Sequence, residues 1–287
     1  MEGVFAQTLV SGILIGFVYA LIAVGLTVIF GMMDIVNFAH GEYLMVAMYF
    51  AYWFFVLFAL DPLYSLPAVT LLLFLLGVVT YYVFIRPIIN APMLSQIFVT
   101  FGILILLRGI AQYLWTVDYR MIPQALTSRN VSVFGVYVGV SQLVAAAGAI
   151  ICNGLIFWFL KSTRLGMALE AVAEDKESAR LMGINSDRMF ALAWGIGIAT
   201  VGVAGGLLAS FYYVFPEVGS NFCLVAFVVV ALGGFGSVPG AFIAGIIVGM
   251  VEVLSGYLIA PSLKFMFVLF LYLAVVFIRP QGLMGRK

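Results

Sequence analysis

Three titratable residues lie within nine positions of the stretch "MMDIVNFAHGEYLM" (residues 32–45). They are Asp34, the chain's single histidine His40, and Glu42. Carboxylate and imidazole groups this close in sequence can hold a metal ion or exchange protons in acid–base catalysis. The stretch also fits a transport element or a loop. Since an enzyme needs more groups that converge on the histidine, we expect no catalytic residue and no metal site.

The composition indicates what kind of protein must position these residues. Of 287 residues, 65% are hydrophobic and 9% are charged, against roughly 25% charged in soluble domains. This predicts an all-α, polytopic transmembrane bundle in a lipid bilayer. A net charge of +1 does not indicate a nucleic-acid partner. The spacing of Cys152 and Cys223 suggests neither a disulfide framework nor a metal site. The acidic N-terminal stretch "MEGVFAQTLV" favours retention of the first apolar segment in the mature protein.

A helix needs about 20 apolar residues to cross a bilayer. The run 222–234 is short and ends in "LGGFGSVPG", so we predict eight or nine spans with broken helices. The nine apolar runs are 5–30, 41–60, 64–85, 93–115, 139–160, 189–214, 222–234, 240–258 and 263–279.

The short loops that hold most Lys and Arg residues are expected on the cytoplasmic side. Nine of these residues collect on one side when "RPIINAP", residues 161–188 and the tail "RPQGLMGRK" lie inside, and three lie opposite. This predicts a cytoplasmic C-terminus and, with nine spans, an external N-terminus. The main external loop is residues 116–138, where "VSVFGVYV" alternates as a short hairpin would.

Residues 161–188 carry ten of the chain's 25 charged residues. Good helix formers and the absence of Gly and Pro predict one amphipathic helix from Met167 to Met182, with Ala171, Leu181 and Met182 free to face another surface. Gly183 would end it, and Asn185 or Ser186 would cap the following helix. A solvated loop is the alternative.

Glu177, Ser178, Ala179 and Gly183 resemble the Glu-Ala-Ala-x-x-x-Gly loop of bacterial ABC importer permeases, with serine in place of the first alanine. In that family the loop forms a coupling helix that docks into a cleft of a separate ATPase subunit. The resemblance implies a coupling role here for Glu174, Glu177, Ser178, Ala179, Arg180 and Gly183.

The whole chain resembles the permease subunits of branched-chain amino acid ABC transporters. The stretches that carry this resemblance, in the family's order, are "GFVYALIAVGLTVIFGMMDIVNFAHGEYLM", "AEDKESARLMGINSDRMFALAW", "LGGFGSVPGAFIAGIIVGMVE" and "RPQGLMG".

The resemblance implies one permease domain over residues 1–287 in a bacterial inner membrane. It also implies a second permease subunit, two cytoplasmic ATPase subunits and a periplasmic substrate-binding protein. We expect ATP on the ATPase subunits and no cofactor on this chain, because the sequence has no phosphate-binding loop of the G-x-x-x-x-G-K-[ST] type. Relatives carry branched-chain amino acids, urea, amides or aromatic acids, so the solute stays open.

Breaks in membrane helices often line a transport path. Residues 31–42 and 233–240 are two such breaks, with Gly234 and Gly236 in the second, which also fits a tight turn. We expect the first to form the turn between the first two spans, with Asn37 as the cap of the second helix. Glu42 would lie in its first turn, and His40 would be a buried hydrogen-bonding residue.

Arg108 lies seven residues before Trp115, about 10 Å below that helix end. A charge at this depth must be paired, reach water or extend its side chain to the headgroups. Arg108 would therefore either extend to the outer headgroups or face the pathway and meet a substrate carboxylate, with Glu252 as its resting partner.

Two other classes of function compete with an importer permease. One is a transporter or channel that works alone. The other is a membrane enzyme that uses Asp34, His40 and Glu42. The acidic residues lie mostly in loops or near helix ends, which favours the importer over an ion-coupled carrier.

Overall fold

Helices dominate the computed structural model, which describes residues 2–122, 129–133 and 136–285. In this part of the chain, eight helices are long and apolar enough to cross a membrane, and the apolar helix Val218–Gly233 is shorter. The predicted all-α bundle with eight or nine spans is confirmed. In chain order the helices are α1 (Glu2–Met33), α2 (His40–Phe58), α3 (Pro62–Thr80), α4 (Met93–Trp115), α5 (Val140–Ser162), α6 (Arg164–Glu174), α7 (Lys176–Leu181), α8 (Ser186–Leu208), α9 (Val218–Gly233), α10 (Val238–Leu258) and α11 (Lys264–Ile278).

The long helices run between two faces of the bundle. One is the α6–α7 face, where α1 ends and α10 begins. Gly31, near the end of α1, lies against Gly236, just before α10. The other is the hairpin face, which holds strands β1 (Asn130–Val133) and β2 (Val136–Gly139). The strands pair antiparallel, with Asn130 opposite Gly139, so the predicted hairpin is confirmed.

The first part of loop 116–138 is held to the bundle. Residues 123–128 of this loop lie outside the described residues. The backbone of Arg120 pairs in both directions with that of Val214, at 2.9 and 2.8 Å. This ties the loop to the segment that precedes α9.

Close contacts between glycines bring α1 and α10 together. A Cβ on Gly249 would lie 2.5 Å from the Cα of Gly16, and a Cβ on Gly245 would lie 2.5 Å from the Cα of Ala20. Any larger residue would force the backbones apart. These two helices therefore form a tightly packed antiparallel pair.

Candidate functional site

Residues 34–39, where the turn between the first two spans was predicted, form a non-helical segment that enters the bundle from exposed Asp34 and ends in a turn at Phe38 and Ala39. Ile35, Asn37 and Ala39 are fully buried. The next residue, His40, lies beside Ile22 of α1, which is eleven residues before Met33 and so about 16 Å from that helix end. The chain thus turns back from the α6–α7 face deep into the bundle before α2 begins.

Neighbouring side chains satisfy the exposed backbone of this segment. Thr100 Oγ1 donates to the carbonyl of Val36 at 3.1 Å, and the thiol of Cys223 lies 3.4 Å from the carbonyl oxygen of Phe38. Non-helical backbone at membrane depth needs such partners because lipid offers none. The segment is therefore held in a defined conformation by the rest of the fold.

The predicted cap of α2 is wrong in its details. Asn37 Oδ1 accepts from the N–H of Ala39 at 3.1 Å, within the same non-helical segment. The residue that precedes the helix is Ala39, which makes no side-chain cap. The Asn37 side chain is hydrogen-bonded to the irregular backbone of its own segment, so it does not cap α2.

His40 is the buried hydrogen-bonding residue that was predicted. It is fully buried, and its Nε2 lies 2.9 Å from the carbonyl oxygen of Ile22. A carbonyl oxygen only accepts, so Nε2 carries the proton. The ring fixes the start of α2 against the middle of α1.

Glu42 lies in the first turn of α2, as predicted, and pairs with Arg108 of α4. The Glu42 side chain is 1% exposed and that of Arg108 is 26% exposed. Arg108 also donates to Ser220 Oγ of α9 at 2.5 Å. One arginine thus joins three helices inside the bundle.

The predicted partner of Arg108 needs correction. The guanidinium contacts Glu42 and Ser220, so the charge is paired within the chain. Glu252, proposed as its resting partner, pairs instead with Lys264, with Nζ 2.6 Å from Oε1. Sequence distance could not choose between two buried glutamates, since the choice depends on how the helices pack.

Two helices begin at the same place in the bundle. A Cβ on Gly41 would lie 2.0 Å from the carbonyl oxygen of Gly219, and one on Gly219 would lie 2.4 Å from that of Gly41. The first turns of α2 and α9 therefore touch through their backbones. The positive ends of both helix dipoles lie close to the Glu42 carboxylate, which such ends stabilise.

Asp34 does not join this cluster. It lines a cavity of about 570 Å³ at the α6–α7 face, with Lys161, Glu170 and Glu174, whereas His40 is enclosed in the bundle. No group of three or more His, Cys, Asp or Glu side chains in the described residues is placed to hold a metal ion. The non-helical segment separates Asp34 from His40 and Glu42, which both lie in the first turn of α2.

The charged segment 161–188 forms two helices, where one from Met167 to Met182 was predicted. Asp175 has extended backbone angles, and its carboxylate accepts from the N–H groups of Glu177 and Ser178 at 2.9 and 3.1 Å. Asp175 therefore ends α6 and caps α7. Hydrogen bonds from the Ser178 side chain and from these two N–H groups lower the pKa of Asp175 from its ordinary value of 3.8.

The end of α7 follows the prediction. Gly183 has a φ of +84°, a left-handed conformation that favours glycine. Asn185 caps α8, accepting from the N–H of Arg188 at 3.1 Å. Leu181 and Met182 are 88% and 83% exposed, so two large apolar side chains stand free at this face.

The predicted coupling residues divide by exposure. Glu174, Glu177, Ser178, Arg180 and Gly183 are exposed, whereas Ala179 is buried within this chain. A small residue at position 179 thus lets α7 pack onto its own bundle. The exposed members are the ones available to another protein.

The second break is a turn between α9 and α10 at the α6–α7 face. Gly234 and Gly236 have φ of +102° and +78°. The C-terminal segment covers this turn, with the N–H of Leu283 bonded to the carbonyl of Leu232 at 2.8 Å and that of Met284 to Gly233 at 3.0 Å. The local structure is therefore the tight turn that was one of the two predictions for this break.

Sequence reasoning missed Ser220 as a partner of Arg108 and Lys264 as the partner of Glu252. Ser220 lies in "EVGSNF" at the start of α9, where small polar residues interrupt an apolar run. Lys264 is the first residue of α11. A rule that each buried carboxylate needs a cation would have brought Lys264 into consideration.

These features define a class of protein: a polytopic α-helical permease, with broken helices inside the bundle and a charged helical segment at one face. A family model described as "Branched-chain amino acid transport system / permease component" matches residues 8–276. The chain belongs to this family.

Its relatives cover nearly the whole chain. The high-affinity branched-chain amino acid transport system permease protein BraD of Pseudomonas aeruginosa is 32% identical, over 98% of this chain and 96% of its own length. The LivH permease of the same kind of system from Escherichia coli is 31% identical over the same shares. A probable LivH of Methanocaldococcus jannaschii is 28% identical over 92% and 88%.

Proposed function

We propose that this chain is one of two permease subunits of an ABC importer for branched-chain amino acids, with ATP hydrolysed on separate subunits. The observation that carries the proposal is the family match over residues 8–276, joined to an exposed helical segment at one face. A periplasmic binding protein would deliver the solute. The two permeases would form the path through the inner membrane.

The α6–α7 face would be the cytoplasmic one. Most Lys and Arg residues of the short loops lie on this side, which is the side where they are retained. The N-terminus would then be external and the C-terminus cytoplasmic. This orientation places α6 and α7 where a cytoplasmic ATPase subunit can reach them.

The docking element would be α7 and the residues that follow it. Leu181 and Met182 are almost fully exposed, and apolar side chains at a helix end suit insertion into a cleft. Glu174, Glu177 and Arg180 supply charges around them that would fix the orientation. Asp175 and Gly183 set where α7 begins and ends.

The path would run beside α9. Glu217, just before α9, and Ser220 and Asn221 in its first turn are exposed, and Arg108 is partly exposed next to them. Such polar groups at membrane depth avoid lipid and face a protein partner or a water-filled path. We therefore place the second permease and the solute path on this side. Asn37, His40 and Glu42, which are buried in the bundle, would stabilise the helices that line the path.

Copurification and uptake test the proposal together. The chain is expressed with its neighbouring permease, ATPase and binding-protein genes, and the complex is reconstituted for radiolabelled leucine uptake. We expect the ATPase subunits to copurify and uptake to require ATP and the binding protein. Uptake that persists without ATP or without ATPase subunits contradicts the proposal.

A variant pair tests the docking element. Leu181→Ser with Met182→Ser removes apolar contact area but disturbs no core, so we expect the ATPase subunits to be lost while both permeases stay together. Met167→Ser is the matched control, since Met167 is also an exposed methionine of the charged segment. Equal retention of the ATPase by both variants contradicts docking at α7.

A further inference from the structure

A second cavity, of about 300 Å³, lies toward the hairpin face between α1, α9, α10 and α11. Its size is at the lower end for small-molecule sites. Glu252 and Lys264 form its charged wall, and Ile15, Tyr19, Phe222 and Val225 are among its other lining residues. The cavity is thus mainly apolar, with one pair of opposite charges.

Burying the ion pair in this wall costs folding free energy. Glu252 is 3% exposed and lies six residues before the end of α10, about 9 Å below it. Removing two charges from water costs free energy that their attraction does not always offset. Ionisable residues at membrane depth are therefore mostly functional.

The pair is also incompletely satisfied. Lys264 Nζ contacts Glu252 Oε1 at 2.6 Å, while Oε2 is buried without a hydrogen-bond partner among the described residues. The Tyr19 hydroxyl is also placed to donate a hydrogen bond to this carboxyl group. Oε2 itself has no partner within hydrogen-bond distance among the described residues, so the carboxylate can accept one further donor, and Lys264, at the more exposed end of the pair, has donors to spare.

We propose that this cavity binds an aliphatic α-amino acid as its zwitterion. The ammonium group would donate to Glu252, the carboxylate would accept from Lys264, and the side chain would lie among Ile15, Phe222 and Val225. The ligand's two charges match those of the wall, so it can bridge a pair that already stands open on one side. The solute class rests on the proposed function. Glu252 was a pathway candidate from the sequence, whereas its pairing with Lys264 and the cavity beside it come from the structure.

Equilibrium binding to the purified complete transporter, without ATP and without binding protein, tests the site. The probes are radiolabelled L-leucine and two competitors that each lack one charge, 4-methylpentanoate and 3-methylbutylamine. We expect saturable leucine binding, with each competitor at least about tenfold weaker because it loses a charge-assisted hydrogen bond. Competition by either analogue that equals that of leucine overturns the zwitterion assignment.

Variants locate the binding. Glu252→Gln with Lys264→Met removes both charges together, so neither remains buried alone, and should weaken leucine binding at least about tenfold. Glu170→Gln with Lys161→Met is the matched control, since these residues form a similar pair at 2.7 Å on the other face. Unchanged binding in the first variant overturns the proposal.

A third variant covers the case in which the first fails to assemble. Asn221 is exposed and lines the cavity, so Asn221→Phe narrows the space and leaves both charges in place. We expect it to weaken leucine binding in an assembled complex, and full binding overturns the site. Should the unaltered transporter bind no leucine yet import it with ATP, this inference fails while the proposed function stands.

Discussion

The imidazole Nε2 of His40 lies 2.9 Å from the carbonyl oxygen of Ile22, so the first residue of α2 is fixed to the middle of α1. This contact sets how far the chain returns into the bundle before a new helix begins.

Removing this contact should destabilise the complex without changing its solute. His40→Ala leaves a cavity and loses a buried hydrogen bond, so we expect a loss of about 1–3 kcal/mol in the free energy of unfolding. His40→Gln, whose amide can donate, should keep part of it. Thermal unfolding and the yield of assembled transporter measure the effect. An altered competition profile among amino acids in a well-assembled His40→Ala complex contradicts a structural role.

The Glu42–Arg108 pair should behave as a unit. Arg108→Gln leaves a fully buried carboxylate alone and should cost about 3 kcal/mol of stability. Glu42→Gln should cost less, since Arg108 is partly exposed. The double variant should recover much of the stability and of leucine uptake. If the double variant folds well but its uptake is as low as in Arg108→Gln, then Arg108 contacts the solute itself.

The contact between α2 and α9 leaves no room for a methyl group. Gly41→Ala places a Cβ 2.0 Å from the carbonyl of Gly219, and we expect it to cost about 1–3 kcal/mol by overpacking. Gly109→Ala is the control, because a Cβ there meets nothing within 4 Å and alanine is the better helix former by about 1 kcal/mol. The change in unfolding temperature should be negative for Gly41→Ala and positive for Gly109→Ala. A Gly41→Ala protein as stable as the control shows that the helices can separate freely.

The cap of α7 should matter for coupling at neutral pH. Asp175→Ala removes both N–H contacts, and we expect faster amide exchange over residues 176–181 and weaker ATP-driven uptake. Asp175→Asn, also a good cap, should retain most of both.

The pH dependence of this cap has a definite sign. Because the pKa of Asp175 is lowered in the folded protein, its stabilising effect is complete above its ordinary pKa and is lost as the pH falls through the lower folded value. Amide exchange of α7 should therefore be independent of Asp175 ionisation between about pH 6 and 8. A change in the protection of α7 over that range contradicts the assignment.

The sequence by itself determined the class of protein, the number of apolar helices, the hairpin and the place of the charged segment. These follow from composition, periodicity and local rules, since a bilayer demands long apolar helices and collects Lys and Arg on one side. It also predicted that His40 is buried, that Glu42 lies in a first helical turn, and that Gly183 ends α7. Each of these depends on residues close in the chain.

Only the tertiary structure decided which charges pair and where α2 and α7 begin. Arg108 pairs with Glu42 and Lys264 with Glu252 because the packing of glycines on α1, α2, α9 and α10 sets which side chains face each other. The non-helical path of residues 34–39 is stabilised because Thr100 and Cys223, distant in sequence, offer partners to its backbone. Contacts between distant residues depend on helix packing, and a sequence pattern reports only local preference.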